Sequence, residues 1–349
     1  MAETVMTGET QEVGGAKPRT SGAQGPWALA FRKLTADRAA MVALAALALI
    51  ALICIAAPLY AAWSHTDPFR SNLDGQVLVD GKLVAALEQS TEGLGLGYTP
   101  IGPTWQLGNF FLGADNQGRD VFARLLYAGR NSLLIASGAT LLTLMLATIV
   151  GTSAGFFGGY TDAIISRLLD ILWAFPIYLL AICLSVVLIN QGMKIGPITI
   201  DSGSLLLPIF IIGTVYVPYV ARPIRGQVLS LRRSEFVLAA IGLGVPPQRI
   251  LFRDILPNVM PTLIVFIPIM MAIDMLVEAA LSFLSIGVQQ PDASWGTIIQ
   301  DGIGLLYTRP WVALSGGIAI ALTVLALNVF GDGVRDTLDP KAKLRIGAK

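Results

Sequence analysis

Arg222-Pro-Ile-Arg-Gly-Gln-Val-Leu-Ser-Leu-Arg-Arg-Ser-Glu-Phe-Val-Leu-Ala-Ala-Ile-Gly-Leu-Gly-Val-Pro-Pro-Gln-Arg-Ile-Leu-Phe-Arg-Asp-Ile-Leu-Pro-Asn258 is a basic stretch set between two apolar runs, residues 202–221 and 255–273. Ser234 stands where a helix N-cap is expected, and the residues after it favour a short helix from Glu235 to about Leu243. Gly244 is placed to end that helix in the left-handed conformation. Pro246 and Pro247 suit the first turn of a second helix, expected to stop before Pro257. The stretch therefore reads as two short helices joined by a sharp turn. Ala239, Ala240, Gly242 and Gly244 keep one surface small, which lets another protein's groove approach the backbone closely. The plainer alternative is an ordinary basic loop on the inner side of a membrane.

Working outward, four more runs free of charge and histidine appear, at residues 39–64, 131–161, 171–193 and 310–331. About 20 apolar residues cross roughly 30 Å of hydrocarbon as a helix, so each of the six runs is long enough to span. The fifth is expected to continue past Asp274 and Glu278 to about Ile286. The composition agrees: the 349 residues are 54% hydrophobic and only 13% charged, against roughly 25% charged in soluble domains. The fold class expected is all-α, a polytopic membrane protein of six transmembrane helices. The basic flank Arg32, Lys33 and Arg38 resembles that of a signal peptide, but the first run is too long for one and reads as a retained span.

Basic residues set the expected orientation. With the N-terminus inside, 17 Lys and Arg fall on the inner side and 7 on the outer. The chain then divides into a cytoplasmic tail 1–38, of which residues 1–26, rich in Gly, Thr and Ala, are expected to be disordered; a first transmembrane helix 39–63; and an extracytoplasmic segment 64–130. A core of five helices follows at 131–332, containing the inner loop 222–258, then a cytoplasmic tail 333–349. In the outer segment, alternation around Asp80-Gly81 predicts a short hairpin, either a cap over the external mouth or a surface ornament. Further on, Asp115 or Asn116 is expected to cap an interfacial amphipathic helix presenting Val121, Phe122, Leu125 and Leu126 on one face.

Chemistry-bearing residues are few. The one histidine, His65, and the two cysteines, Cys54 and Cys183, offer no metal set and no catalytic constellation. No phosphate-binding loop of the G-x-x-x-x-G-K-[ST] type occurs, so ATP hydrolysis must come from another chain. No basic run with interleaved aromatics points to nucleic acid. Asp274 and Glu278 share one helical face, about 22 and 28 Å along the fifth span from its inner end. Intramembrane carboxylates line a pathway or make buried bonds to a neighbouring helix, and both readings stand for this pair. They also support a rival reading, an ion-coupled secondary transporter, although no internal repeat is present.

The inner loop resembles the signature of permease subunits of ABC importers: a Glu-Ala-Ala-like start, a Gly four residues after the second Ala, and a hydrophobic-Leu-Pro ending. The matching residues are Ala239, Ala240, Gly244, Ile255, Leu256 and Pro257. Leu238 holds the family's Glu position, and Glu235 lies three residues earlier, similar to the oligopeptide, dipeptide and nickel branch. Three further stretches resemble the C-type permease of that branch. They are Gly118-Arg-Asp120 with Arg124, Arg130 and Ser132; Gly158-Gly-Tyr-Thr-Asp162 with Arg167 and Asp170; and Glu278-Ala-Ala-Leu-Ser-Phe-Leu-Ser-Ile-Gly287 with Pro291 and Ser294-Trp-Gly296.

The resemblance implies a type I ABC importer permease fold in a bacterial inner membrane. It further implies a B-type permease partner, two ATPase subunits that hold the ATP and Mg, and an extracytoplasmic substrate-binding protein. Glu235, Ala239, Ala240 and Gly244 would form the coupling helix on an ATPase, with Pro257 supporting the loop. Peptides are the substrate class implied, with nickel, glutathione-like compounds and opines open.

Overall fold

The computed structural model describes residues 26–79, 82–89, 97–195 and 198–338. Residues 1–25 of the N-terminal tail and the expected turn residues Asp80 and Gly81 lie outside these. An amphipathic helix, α1 (Pro26–Ala36), leads into α2 (Arg38–Ile55). Asp37 caps α2 by accepting the Ala39 and Ala40 N–H groups, which satisfies donors that a helix start leaves free. The first apolar run does not stay one helix: it breaks at Ala56, and Pro58 opens the short α3 (Ala57–Ser64).

Two small hairpins follow. β1 (Gln76–Val79) pairs antiparallel with β2 (Lys82–Ala85), with Val79 opposite Lys82, as the alternation predicts. β3 (Leu87–Gln89) pairs with β4 (Tyr98–Pro100). Val77, Ala86, Ile101, Phe110 and Ala114 give this segment its own small core.

The interfacial helix expected before the second span is not a separate element. It is the first part of α4 (Val121–Phe157), one helix of 37 residues. At 1.5 Å per residue that is about 55 Å, well beyond the hydrocarbon thickness. The helix is longer than a span requires, and Arg124 and Arg130 both lie in its first ten residues. Its cap is Asp120, which accepts from the Phe122 and Ala123 N–H groups, and neither Asp115 nor Asn116.

The third and fourth runs are bent. α5 (Gly159–Ala174) and α6 (Ile177–Gln191) meet at 87° at Phe175-Pro176. Pro176 cannot donate to the ladder, and it drives Phe175 into extended backbone. A short hairpin of β5 (Met193–Ile195) and β6 (Ile198–Ile200) precedes α7 (Leu206–Val215), which bends by 44° into α8 (Val217–Arg232). With each bent pair taken as one span, the described residues contain six.

The basic loop forms α9 (Glu235–Gly242) and then α10 (Pro247–Arg249). The second short helix does not stop before Pro257. It passes through a π-helical turn, Ile250–Ile255, directly into α11 (Leu256–Phe283). The wider turn places Pro257 at the second position of α11, where its missing N–H costs little. α12 (Trp295–Gly302), opened by a Ser294/Thr297 capping box, and a 3₁₀ turn at Ile303–Leu305 lead to α13 (Trp311–Leu338).

In a bilayer, apolar side chains gain little by leaving lipid for protein, so close packing of small residues carries helix association. α4 shows this. A Cβ on Gly151 would lie 2.7 Å from the Ala221 carbonyl oxygen, and one on Gly155 would lie 2.9 Å from that of Arg225. These glycines bring α4 and α8 into backbone contact at the centre of the main core, which also draws on α7 and α11.

Candidate coupling surface and buried polar nodes

α9 is an apolar helix with little to cover it. Val237 is fully buried and pins it to the bundle, while Phe236, Leu238, Ile241 and Leu243 are exposed. Glu235 and Ala239 are exposed as well, and Ala240 is partly buried. Gly244 ends the helix as expected. Its φ is +74°, and the bonds Val245 N–H to Ala240 O and Gly244 N–H to Ile241 O make the Schellman pattern. A Cβ at Gly244 would meet nothing within 4 Å, so the glycine is required by backbone conformation and by whatever approaches from outside.

The stem beneath α9 is stiffened by ion pairs between α5 and α8. Arg225 makes two bonds to the Asp162 carboxylate, at 2.5 and 2.6 Å. Arg222 reaches Asp170 at 2.8 Å and lies 5.1 Å from the centre of the Trp173 ring. The Gln227 side chain donates to Asn258 O at 3.0 Å, joining α8 to the start of α11. These contacts join α5, α8 and α11 on the stem that carries α9.

Asp274 and Glu278 do not reach a surface. Both are fully buried within the chain, on the seam between α11 and α4. Thr140 donates to Asp274 Oδ2 at 2.7 Å. Ser132 and Ser282 donate to the two oxygens of Glu278 at 2.9 and 2.7 Å. Ser132 Oγ in turn accepts from Trp295 N–H, and Ser282 Oγ from Val288 N–H. Glu278 is therefore a tie among α11, α4, α12 and the turn after α11. Both Glu278 oxygens are thus held by the chain, whereas Asp274 Oδ1 is buried with no hydrogen-bond partner.

The polar cluster that sequence reading missed lies at the opposite end from α9. Asp115, Arg119, Arg124 and Asp301 form a buried quartet. Arg119 Nε is 2.7 Å from Asp115 Oδ2, and Arg119 Nη2 is 3.3 Å from Asp301 Oδ2. Arg124 Nη2 is 3.1 Å from Asp301 Oδ2, and its Nη1 donates to Pro68 O. Two guanidiniums and two carboxylates balance, and the tie joins the outer segment, α4 and α12. Asp120, beside it, is buried, and Oδ2 has no hydrogen-bond partner. Desolvation pushes its carboxyl up to about 6 in spite of the capping N–H groups. Arg119 and Arg124 were visible as a motif in the sequence. Asp301, 177 residues beyond Arg124, carried no local signal.

With this geometry in hand, the class of protein follows. Residues 147–344 match the family of binding-protein-dependent transport system inner membrane components, and the chain belongs to that family. Residues 25–76 match the N-terminal transmembrane domain of oligopeptide transport permease C. The chain is 35% identical to the dipeptide transport system permease protein DppC of Alkalihalophilus pseudofirmus, over 91% of each chain. It is 39% identical to the oligopeptide transport system permease protein OppC of Bacillus subtilis, over 67% of this chain and 72% of that one. The glutathione transport system permease protein GsiD of Pectobacterium atrosepticum is 36% identical over 67% of this chain and 73% of its own. Among solved structures, the MetNI methionine ABC transporter in an inward-facing form shares the fold. Its TM-score is 0.50 at 18% identity, covering 62% of this chain and 97% of that one. The protein is a multi-pass membrane permease component with the type I ABC importer permease fold, and its relatives are transport proteins, not enzymes.

Proposed function

We propose that this chain is the C-type permease subunit of an ATP-driven importer of dipeptides or oligopeptides. It forms the translocation path with a second, B-type permease and takes substrate from an extracytoplasmic binding protein. In this reading both termini face the cytoplasm, which the bias of Lys and Arg supports. The observation that carries the proposal is α9: an exposed apolar helix, anchored by one buried valine, at a stem clamped to α5 and α11. Such a surface needs a partner, and the missing phosphate-binding loop says what the partner supplies. ATP and Mg are held by two ATPase subunits, with Glu235, Ala239, Ala240 and Gly244 docking on one of them. ATP binds the two arrangements of the ATPase pair with different affinity. α9 moves with its ATPase and rocks the bundle between outward- and inward-open forms. The peptide class rests on the relatives named above.

Gly244→Val tests this reading. The variant should assemble with its partners yet lose most substrate-stimulated ATPase activity and uptake. Wild-type coupling in Gly244→Val, or purification of the chain with no ATPase bound, refutes the docking role of α9.

A further inference from the structure

The third span is broken inside the membrane. α6 has 15 residues, about 22 Å of helix, against roughly 30 Å of hydrocarbon. With its far end at the outer boundary, the 87° bend at Phe175-Pro176 falls within the hydrocarbon. At such a break α5 leaves its last carbonyls, and α6 its first N–H groups, without the partners an unbroken helix supplies. Phe175 is extended (φ −87°, ψ 140°), and no side chain caps α6. The rest of the chain does not cover the break: residues 171–176 are all exposed, Phe175 at 51%.

Backbone groups without partners do not face lipid; at that depth they lie against protein or in a water-filled cavity. The side chains around the break decide between the two. Trp173, in the last turn of α5, stacks on Tyr219 of α8, with ring centres 6.3 Å apart and planes at 22°. The Arg222 guanidinium lies 5.1 Å from the centre of the Trp173 ring. It pairs with Asp170 at 2.8 Å, the two side chains being 39% and 56% exposed. Tyr178 and Tyr219 are exposed as well, and among the described residues neither hydroxyl makes a hydrogen bond. A sealed protein interface would strip water from the charge pair and from both phenols, whereas a polar cavity leaves them wet. An aromatic belt at the bilayer surface also carries Trp and Tyr, but it does not leave helix ends uncapped within a span.

Taking the chain as a subunit of a peptide importer, we propose that the break at Phe175-Pro176, with Trp173, Tyr178 and Tyr219, is its wall of the translocation path, and that a transported peptide bonds to this wall through its main chain. A peptide backbone presents N–H and C=O groups in alternation. The wall presents the complement, carbonyls at the end of α5, N–H groups at the start of α6 and two phenols. None of these groups reads a side chain. The stacked rings of Trp173 and Tyr219 add an apolar platform of no fixed preference, so peptides of different sequence pass.

Phe175→Cys and Tyr178→Cys are made one at a time in a chain carrying Cys183→Ala; the other cysteine, Cys54, is buried. The chain, with the subunits that co-purify with it and its binding protein, is placed in liposomes and treated with a charged methanethiosulfonate reagent, which reacts only where water reaches. Both cysteines should be labelled, and saturating tri-alanine should slow the labelling several-fold. Leu52→Cys, on the exposed face of the first span, is the lipid-side control and should stay unlabelled. Tyr178→Phe with Tyr219→Phe should lower uptake of tri-alanine and of tri-lysine alike, by roughly fivefold for each hydroxyl removed. Labelling of Phe175→Cys and Tyr178→Cys no faster than that of Leu52→Cys would mean that lipid or the partner permease covers the break, and overturns the proposal. So does a wild-type complex that takes up tri-alanine while the peptide leaves labelling unchanged, or a loss confined to one of the two peptides. A wild-type complex that takes up neither peptide refutes the peptide cargo instead, and labelling over the Leu52→Cys control still decides the wall.

Discussion

Replacing Asp301 by Asn keeps the side chain's size and one acceptor but removes one of two negative charges from the quartet. Arg119 and Arg124, with side chains 1% and 2% exposed, would then share Asp115 alone. A net positive charge would be left where water cannot reach it. Breaking a buried pair by removing one partner costs roughly 3–5 kcal/mol, because the remaining charge is uncompensated. Burial already holds the Asp301 carboxyl above the ordinary range, against the pull of Arg124 and Arg119. Desolvation thus outweighs attraction, and the quartet is dear to assemble but dearer to break by one member. A double variant, Asp301→Leu with Arg124→Leu, leaves the neutral Arg119–Asp115 pair at 2.7 Å. It should recover at least about 2 kcal/mol relative to the sum of the single changes. The assay is unfolding of the purified protein in detergent, followed by the reactivity of buried Cys54. A loss below about 0.5 kcal/mol for Asp301→Asn, or strict additivity in the cycle, refutes the argument that these charges act as one desolvated unit.

Asp120 gives a pH dependence of definite sign. Its folded pKa, about 6, lies above the ordinary 3.8, so the unfolded chain loses this proton first as pH rises. Its contribution to stability falls between about pH 4 and 6 and stays low above, by on the order of 3 kcal/mol. Asp120→Asn, which can still cap α4, should stabilise the protein at pH 7.5 and make little difference at pH 4 in the same unfolding assay. Asp274→Asn should change uptake of cationic and neutral peptides alike, since the carboxylate faces Thr140 inside the chain; a loss confined to cationic peptides would return it to the path. Glu278→Leu leaves the Ser132 and Ser282 hydroxyls without their acceptor and should cost roughly 2–4 kcal/mol, and Glu278→Gln clearly less. Gly155→Val should block the approach of α8 to α4 and abolish folded protein on size-exclusion chromatography, whereas Gly244→Val should not.

What could be read from the chain alone was whatever depends on neighbours in sequence. Apolar runs of about 20 residues report on crossing a bilayer because the helix satisfies its own backbone. Gly244 could be assigned because a left-handed C′ position is a local steric demand. Val79 pairs with Lys82 for the same kind of reason, the alternation of the residues on either side of Asp80-Gly81. Where local signals compete, reading the chain placed boundaries wrongly. Asp115, Asn116 and Asp120 are all capable caps, and the choice fell to Asp120 because Asp115 is drawn to Arg119 and to the backbone N–H groups of Gln117 and Arg119. Pro257 looked like a stop, but the π turn before it lets one helix run from Pro247 to Phe283.

Only the tertiary structure decided which charges are partners. Asp301 meets Arg124 across 177 residues, and Glu278 meets Ser132 across 146. Such pairs follow from which helix faces touch, and that is set by the glycines of α4 and the bends at Pro176 and Tyr216, not by spacing along the chain. The sequence by itself determined a six-span membrane bundle with an exposed, basic-flanked helix at one end, because length, charge and turn chemistry are local. The fold decided that Asp274 and Glu278 are buried on the seam between α11 and α4, where Thr140, Ser132 and Ser282 donate to them. Burial is a property of packed surfaces, and it comes into being only when the helices meet.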